Sequence, residues 1–441
     1  CVEPAEQDAL DQYGKISESI RRIRLSAVRS FDKGKLRKLY VPLTVANTNP
    51  SCTTVPVEVE CMIDLRPKWT GEWHLRLHSS DGREIPCQEE QPESLLPFDW
   101  RKKVSFMGDL PGHGVARYEL RMHEGRKEAI PGKPAIPHTI DLEKGLITSL
   151  SAGNAVECLT GHLLKALVVD DDGDSWGADR WSYRKVLGAF ELQPKRMCIL
   201  NDGTIRKISE STFVYGGSTI VLRTVAYPSW PVLEFQLRIQ WTETRKRLKL
   251  SIPTVFKDDR ILCEVPGGAI YRPADGQEHV HGRWCFLEGV FNGQNTGFAV
   301  VNSGQHGFDF HDGEVRLSVL RSAAYCHDQG FKLGDRPVRK YMDQGIHDVR
   351  LLVTAGDADA VRNSLTGLGD WLSAPPVVYS HLPIGSGAPD GEEFISVTPQ
   401  SVRLIACRQS EDAKALILRL QESVGVASKA KLNLTKAELR L

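Results

Sequence analysis

The sequence predicts a mainly β protein: a large antiparallel supersandwich joined to smaller β-sandwich modules, with one helix in front. Three observations predict it. From Leu39 onward the apolar residues recur with period two rather than 3.6. Short apolar runs are separated by Gly, Pro, Asn and Asp breaks, many with hairpin chemistry. Only near the start does a long helical stripe occur, with Leu10, Tyr13, Ile16, Ile20, Ile23 and Ala27 at steps of three and four.

A chain of 441 residues is too long for one ordinary core and implies several domains. Hydrophobic residues at 41% and charged residues at 25% describe a soluble globular protein. Lys+Arg and Asp+Glu both total 56, so no global field draws the chain to nucleic acid or anionic lipid. No apolar run approaches a membrane span, and residues 1–30 lack a signal-peptide core. Ten scattered cysteines include no Cys-x-x-Cys, which argues against a zinc ribbon or redox pair. Free, mostly buried thiols in a reducing cytoplasm are expected. The chain starts with Cys rather than Met, as a fragment or a processed product does.

Taken in order, residues 4–28 read as an amphipathic helix with Glu, Lys and Arg on its polar face. One helix cannot bury such a stripe alone, so it must pack on something. Strands are expected at Pro42–Ala46, Val55–Ile63, Trp73–Leu77, Lys103–Met107 and Ala116–Arg121. Pro131, Pro134 and Pro137 mark residues 126–138 as a linker or rim loop. Further strands follow at Phe213–Val214, Thr219–Ala226, Val232–Trp241 and Arg247–Pro253. Turn signals stand at Asn201-Asp202-Gly203 and Gly216-Gly217. Residues 296–353 form the centre of the pattern. Phe298–Val301, Phe308–Phe310 and Val315–Leu320 read as strands, with Gly304, Gly307 and Gly313 at turns that need positive φ. Asp312-Gly313 is a hairpin signal. Val315, Leu317 and Val319 alternate with Arg316, Ser318 and Leu320, which gives that strand one wholly apolar face. A second helix is expected over 357–372, ending before Pro375-Pro376, and the tail reads as more strands.

The runs FAVVNSGQHGFDFHDGEVRLSVLRS and MDQGIHDVRLLV resemble the C-terminal β region of glycoside hydrolase family 38, the α-mannosidases. So do YVPLTVANTNP, DGREIPCQ, GDLPGHGVARYELR, LEFQLRIQWTETRKRLKLSIPT and CEVPGGAIYRPADG. The resemblance implies the last helix of a helical bundle over 1–38 and a small β-sandwich over 39–125. It further implies a galactose-mutarotase-like supersandwich over 126–375 and a C-terminal β module over 376–441.

Retaining glycosidases need two carboxyl groups roughly 5–5.5 Å apart. Family 38 adds a zinc ion in an N-terminal barrel, and His-x-Asp belongs to its signature. None of the 13 histidines here is followed two residues later by Asp. No catalytic or metal residue is therefore assigned in this chain. The zinc ion is expected in the complete enzyme and not here.

Two substrate-binding candidates come from the resemblance. Trp176, in DDDGDSWGADRW, matches a family loop that approaches the active site, and an indole can stack on a sugar face. The alternative is a core or rim tryptophan. Arg321 ends the LSVLRS run, at a position that lies beside the mannose site in the family, where its donor fork could meet sugar hydroxyls. The alternative is a strand-end salt bridge.

Other clusters carry less. The acidic run Asp170, Asp171, Asp172 and Asp174 lacks the Gly and Glu of an EF-hand loop and reads as a solvated turn. His279 and His281 share a strand face, without two further ligands for a metal. His306, Asp309 and His311 could mimic a mutarotase acid/base set, although their spacing does not match one.

The resulting expectation is the C-terminal portion of a retaining α-mannosidase, bracing the catalytic barrel and completing the rim of its pocket. Its partners would be an N-terminal catalytic domain of the same protein and an α-mannoside or oligosaccharide, with a homo-oligomer also allowed. The alternatives are a free-standing carbohydrate-binding or scaffold protein, and a mutarotase-like epimerase.

Overall fold

The computed structural model describes residues 2–30, 40–51, 53–62, 72–92, 101–128, 130–153, 156–171, 173, 181–325, 340–380 and 395–434. Two sheets build the largest core. A nine-stranded sheet runs in the order Glu191–Asp202, Lys207–Tyr215, Ser218–Ala226, Leu233–Trp241, Gly345–Asp357, Gln294–Asn302, Trp284–Phe291, Arg260–Val265 and Gly268–Pro273. A six-stranded sheet runs Val186–Ala189, Lys165–Asp170, Lys246–Pro253, Glu314–Arg321, Gly307–His311 and His279–Val280. The pairings are antiparallel, as the short turns require.

Alternation dictates how these sheets face each other. Phe235, Leu237, Ile239 and Trp241 point one way, while Gln236, Arg238 and Gln240 point the other. Leu248, Leu250 and Ile252 from the six-stranded sheet meet them across the core. Phe298–Val301 and Leu351–Val353 are unbroken apolar runs because the nine-stranded sheet is buried on both faces there. Its second face packs Trp284, Phe286, Val301 and Leu352 against helix α2 (Ala358–Ser373) and a smaller sandwich.

Asp357 caps α2, accepting a hydrogen bond from Ala360 N at 3.0 Å. Val361, Leu365, Leu368 and Leu372 then fall on one buried stripe. Each contributes roughly 1.5–3 kcal/mol by leaving water. The helix stops at Ala374, immediately before Pro375-Pro376.

The smaller sandwich joins a five-stranded sheet to a three-stranded one, Thr53–Met62, Arg101–Leu110 and Cys87–Glu90. In the five-stranded sheet, Val377–Tyr379 pairs with Tyr40–Asn47, so residues just beyond α2 return to the first strand. Arg206 locks the two sandwiches together. It is 2% exposed and pairs with Glu58 Oε1 and Glu90 Oε2, both at 2.5 Å. Among the described residues two further strand pairs follow: the hairpin of Val402–Gln409 with Leu416–Glu422, lying in sequence between Ile395–Thr398 and its partner Lys431–Leu434.

Helix α1 (Val2–Ser30) forms as the stripe predicts, but most of the stripe lies in water. Val28 packs with Ala46, Val115 and Tyr379. Leu10, Tyr13, Ile16, Ile20 and Ile23 are 46–69% exposed.

Two local expectations need correction. Leu320 joins the buried core and Val319 packs only partly buried against it, because a bulge pairs Leu248 with Leu320 and Lys249 with Ser318. Gly307 lies inside a strand and is not among the positive-φ glycines. A Cβ there would sit 3.1 Å from Glu278 Oε1 and 3.2 Å from Ser318 Cβ, so close approach explains the residue. The Asp312-Gly313 turn is as expected, with φ of 47° and 77°.

Candidate functional site

The six-stranded sheet turns its apolar rows inward, which sends its polar rows to the opposite face. On Lys246–Pro253 these are Arg247, Lys249 and Ser251; on Glu314–Arg321 they are Arg316 and Ser318; on Gly307–His311 the row holds Asp309, between Phe308 and Phe310. Antiparallel register sets Lys249 opposite Ser318, and Asp309 opposite Arg316. Three neighbouring strands thus gather their charges into one patch.

Lys249 and Asp309 have no solvent exposure, and the Lys249 Nζ lies 2.5 Å from Asp309 Oδ2. The same nitrogen is 2.5 Å from Glu278 Oε2. Ser318 donates to the other Glu278 oxygen, which also accepts from Arg247 at 3.0 Å. Arg184 pairs with Asp309 and, at 3.0 Å, with Glu314. Arg316 and the Ser251 hydroxyl also engage Glu314, at 2.8 and 2.5 Å. Arg247 stands 3.7 Å above the Tyr183 ring and 3.1 Å from Asp171.

Among the described residues, Lys249, Arg184, Arg247 and Arg316 here face Asp309, Glu278, Glu314 and Asp171. Near-complete pairing is what buried charge demands, since an unpaired ion loses its hydration without compensation. Burial pushes the Asp309 carboxyl up, against the pull of Lys249 and then Arg184. Burial also opposes charge on Glu314, but hydrogen bonds from Arg316 and Ser251 hold that carboxyl below its usual range.

Arg321 enters this network from the end of its strand. Its Nε donates to Asp171 Oδ2 at 2.8 Å, and its backbone N–H donates to Asp343 Oδ2 at 2.9 Å. Asp171 is completely buried and shared between Arg247 and Arg321, so the acidic run is not simply a solvated turn. The expectation failed because sequence shows a charge run but not the two distant guanidiniums that fold onto it. Trp176, Asp172 and Asp174 lie outside the described residues.

The remaining candidates separate. His279 Nε2 contacts Asp275 Oδ1 at 2.9 Å. His281 is buried with neither ring nitrogen hydrogen-bonded among the described residues, its ring edge-on to Phe308 at 4.9 Å. His306 faces the backbone carbonyl of His281 at 3.2 Å, and His311 that of Ala274 at 3.4 Å. They do not converge on Asp309, which Lys249 and Arg184 already occupy.

Glu278 and Asp309 invite a catalytic reading on distance alone. Both touch one nitrogen, so their oxygens lie within about 5 Å, near the spacing of a retaining pair. Both carboxyls of an acid/base pair must reach substrate, however, and Asp309 has no solvent exposure, with Lys249 and Arg184 paired to it. Among the described residues, no three His, Cys, Asp or Glu side chains are grouped to hold a metal ion. These residues do not fit a zinc ion, and no step below runs through one. The described cysteines are free: Cys61, Cys87, Cys158, Cys263 and Cys285 are buried, and Cys198 and Cys407 exposed.

Residues 136–331, which contain every strand of the six-stranded sheet and all of the nine-stranded sheet except its central strand Gly345–Asp357, match the glycosyl hydrolases family 38 C-terminal domain. This segment is similar to that domain. Among solved structures, a family 38 protein from Enterococcus faecalis matches at TM-score 0.74 and 12% identity, over 95% of this chain and 56% of that one. An α-mannosidase from Enterococcus faecalis V583 matches at TM-score 0.71 and 13% identity, over 95% and 54%. At such identity the likeness is one of fold. The chain spans just over half the length of either structure. No curated protein matches the sequence. The matched segment therefore holds the charged face, while Gly345–Asp357, outside it, completes the nine-stranded sheet. Among the described residues, no helix is long and apolar enough to cross a membrane.

Proposed function

We propose that this chain acts as the C-terminal portion of a retaining α-mannosidase, bracing an N-terminal catalytic barrel and completing the rim of its pocket. The observation that carries the reading is α1, which presents Leu10, Tyr13, Ile16, Ile20 and Ile23 to water on a chain built like the C-terminal part of family 38. An apolar stripe of that length needs a cover, and neighbouring bundle helices from a barrel-bearing segment supply one. The charged face is then a stiff wall rather than a reaction centre. Its role at the pocket is to fix Arg321, whose guanidinium Asp171 holds in place. Trp176 would contribute an indole to the same rim. The nucleophile, the acid/base and the zinc ion reside in the barrel.

Reconstitution tests this. A family 38 catalytic barrel preceding this sequence, supplied in trans, should associate with the chain and hydrolyse an aryl α-mannoside with retention. The Ile16→Glu/Ile20→Glu chain should not associate. A mixture that neither associates nor turns over would contradict the proposal.

A further inference from the structure

A second polar site lies on the far face of the nine-stranded sheet, where the small sandwich and α2 stop covering it. A cleft of about 610 Å³ opens there, within the range of small-ligand sites. Its floor is set by register. Arg223, Gln236 and Arg350 lie side by side across three adjacent strands, and Arg238 stands beside Asp348 in the next row. The opposite wall is formed by Pro56, Trp371 and the Pro375-Pro376 pair.

The floor is held from the side, by a neighbour on the same face of its strand. Glu234 is completely buried and accepts from Gln236 Nε2 at 2.9 Å and from Arg350 at 2.7 Å. That fixes both side chains, and the Gln236 amide also carries an oxygen that can accept a hydrogen bond. Arg223 uses its Nε on Glu210 at 2.8 Å, and Arg238 reaches Asp348 through Nη1 at 3.2 Å. Each fork keeps further N–H donors, since guanidinium carries five. Trp371 is fixed by its indole N–H to the Pro56 carbonyl at 3.3 Å and by Arg350 above its ring.

The lining alternates donors, acceptors and apolar ring surface. A phosphate or sulfate would meet Asp348 and Glu58 among the lining carboxylates and gain nothing from the proline wall. A pyranose offers hydroxyls that both donate and accept, with C–H faces for the wall. Neighbouring strands stand about 4.8 Å apart, comparable with the span between hydroxyls across one sugar ring.

We propose that this cleft is a neutral oligosaccharide subsite, binding a part of the glycan remote from the bond that is cut. The proposal rests on the α-mannosidase reading for its sugar class, but it is tested on this chain alone. Saturation-transfer NMR and calorimetry with a linear α-mannotriose should report binding to the full chain. Arg223→Ala/Arg238→Ala should weaken it roughly tenfold, as expected when two hydrogen-bonding groups are lost. Arg350 is left intact because it neutralises Glu234, and an unchanged unfolding midpoint shows that the double variant is folded. Absence of binding at millimolar sugar overturns the proposal, as does equal binding by the folded variant. Inorganic sulfate binding in preference to the trisaccharide would make the cleft an anion site and overturn the sugar class. Sugar binding without mannosidase activity in the reconstituted pair would instead sink the enzyme reading and spare the cleft.

Discussion

At the residue scale, the charged face shows how much depends on pairing. Lys249 neutralises two carboxylates while wholly buried, so Lys249→Met removes the cation they share and leaves Asp309 to Arg184 and Glu278 to Arg247. Removing one partner of such a cluster costs roughly 3–5 kcal/mol. Lys185→Ala, which breaks an exposed pair with Asp170, should cost only about 0–1 kcal/mol. Chemical denaturation of the two variants measures the contrast, and equal losses would show that the face is not the buried network described. His281 adds a pH effect. Burial pushes its imidazole down to about 4, from 6.5, with His306 acting in the same direction and Glu264 opposing. The neutral form is the one the fold holds, so this stability is present above pH 6.5 and is lost as pH falls toward 4. The loss reaches about 3 kcal/mol at low pH. His281→Leu should flatten the slope of stability against pH over that window.

At the element scale, alternation made most strands legible, because side chains on a strand must point to opposite faces. It told which residues share a face but not whether that face is covered. Arg247, Lys249 and Ser251 alternate with leucines and isoleucine in the pattern of a solvated edge, yet they are largely buried. The Val319 bulge was invisible because one extra residue changes pairing without changing composition. Arg321 was found through the motif around it, whereas its partner Asp171 lies 150 positions away. The cleft was beyond reach altogether: its walls come from residues 56–58, 221–238 and 348–376, with no local signature. Helix α1 was legible as a helix, and its exposed stripe carries a prediction. The chain alone should self-associate or exchange amide hydrogens rapidly over residues 4–28, while Val315–Leu320 stays protected. Ile16→Glu/Ile20→Glu should improve solubility and leave the sandwich folded. If that double change unfolds the whole chain instead, α1 packs on the chain's own β core.

At the scale of the whole molecule, two sandwiches share the nine-stranded sheet as a common wall and are fastened at Arg206. Burial opposes charge on Glu58, but Arg206 prevails and draws the carboxyl from 4.5 down to about 2. A depressed carboxyl contributes stability above its unfolded value and loses it as pH falls through the folded one. The junction should therefore loosen between about pH 4.5 and 2, and Glu58→Gln should remove that dependence, read by proteolysis between the sandwiches. The central claim is that this β assembly supports catalysis carried out elsewhere. Hydrolysis of an aryl α-mannoside by the chain alone tests that claim most directly. The account predicts no turnover above the uncatalysed rate, with or without added zinc. Turnover by the chain alone that a chelator abolishes would contradict it, since a metal site and its carboxylates would then lie within these 441 residues.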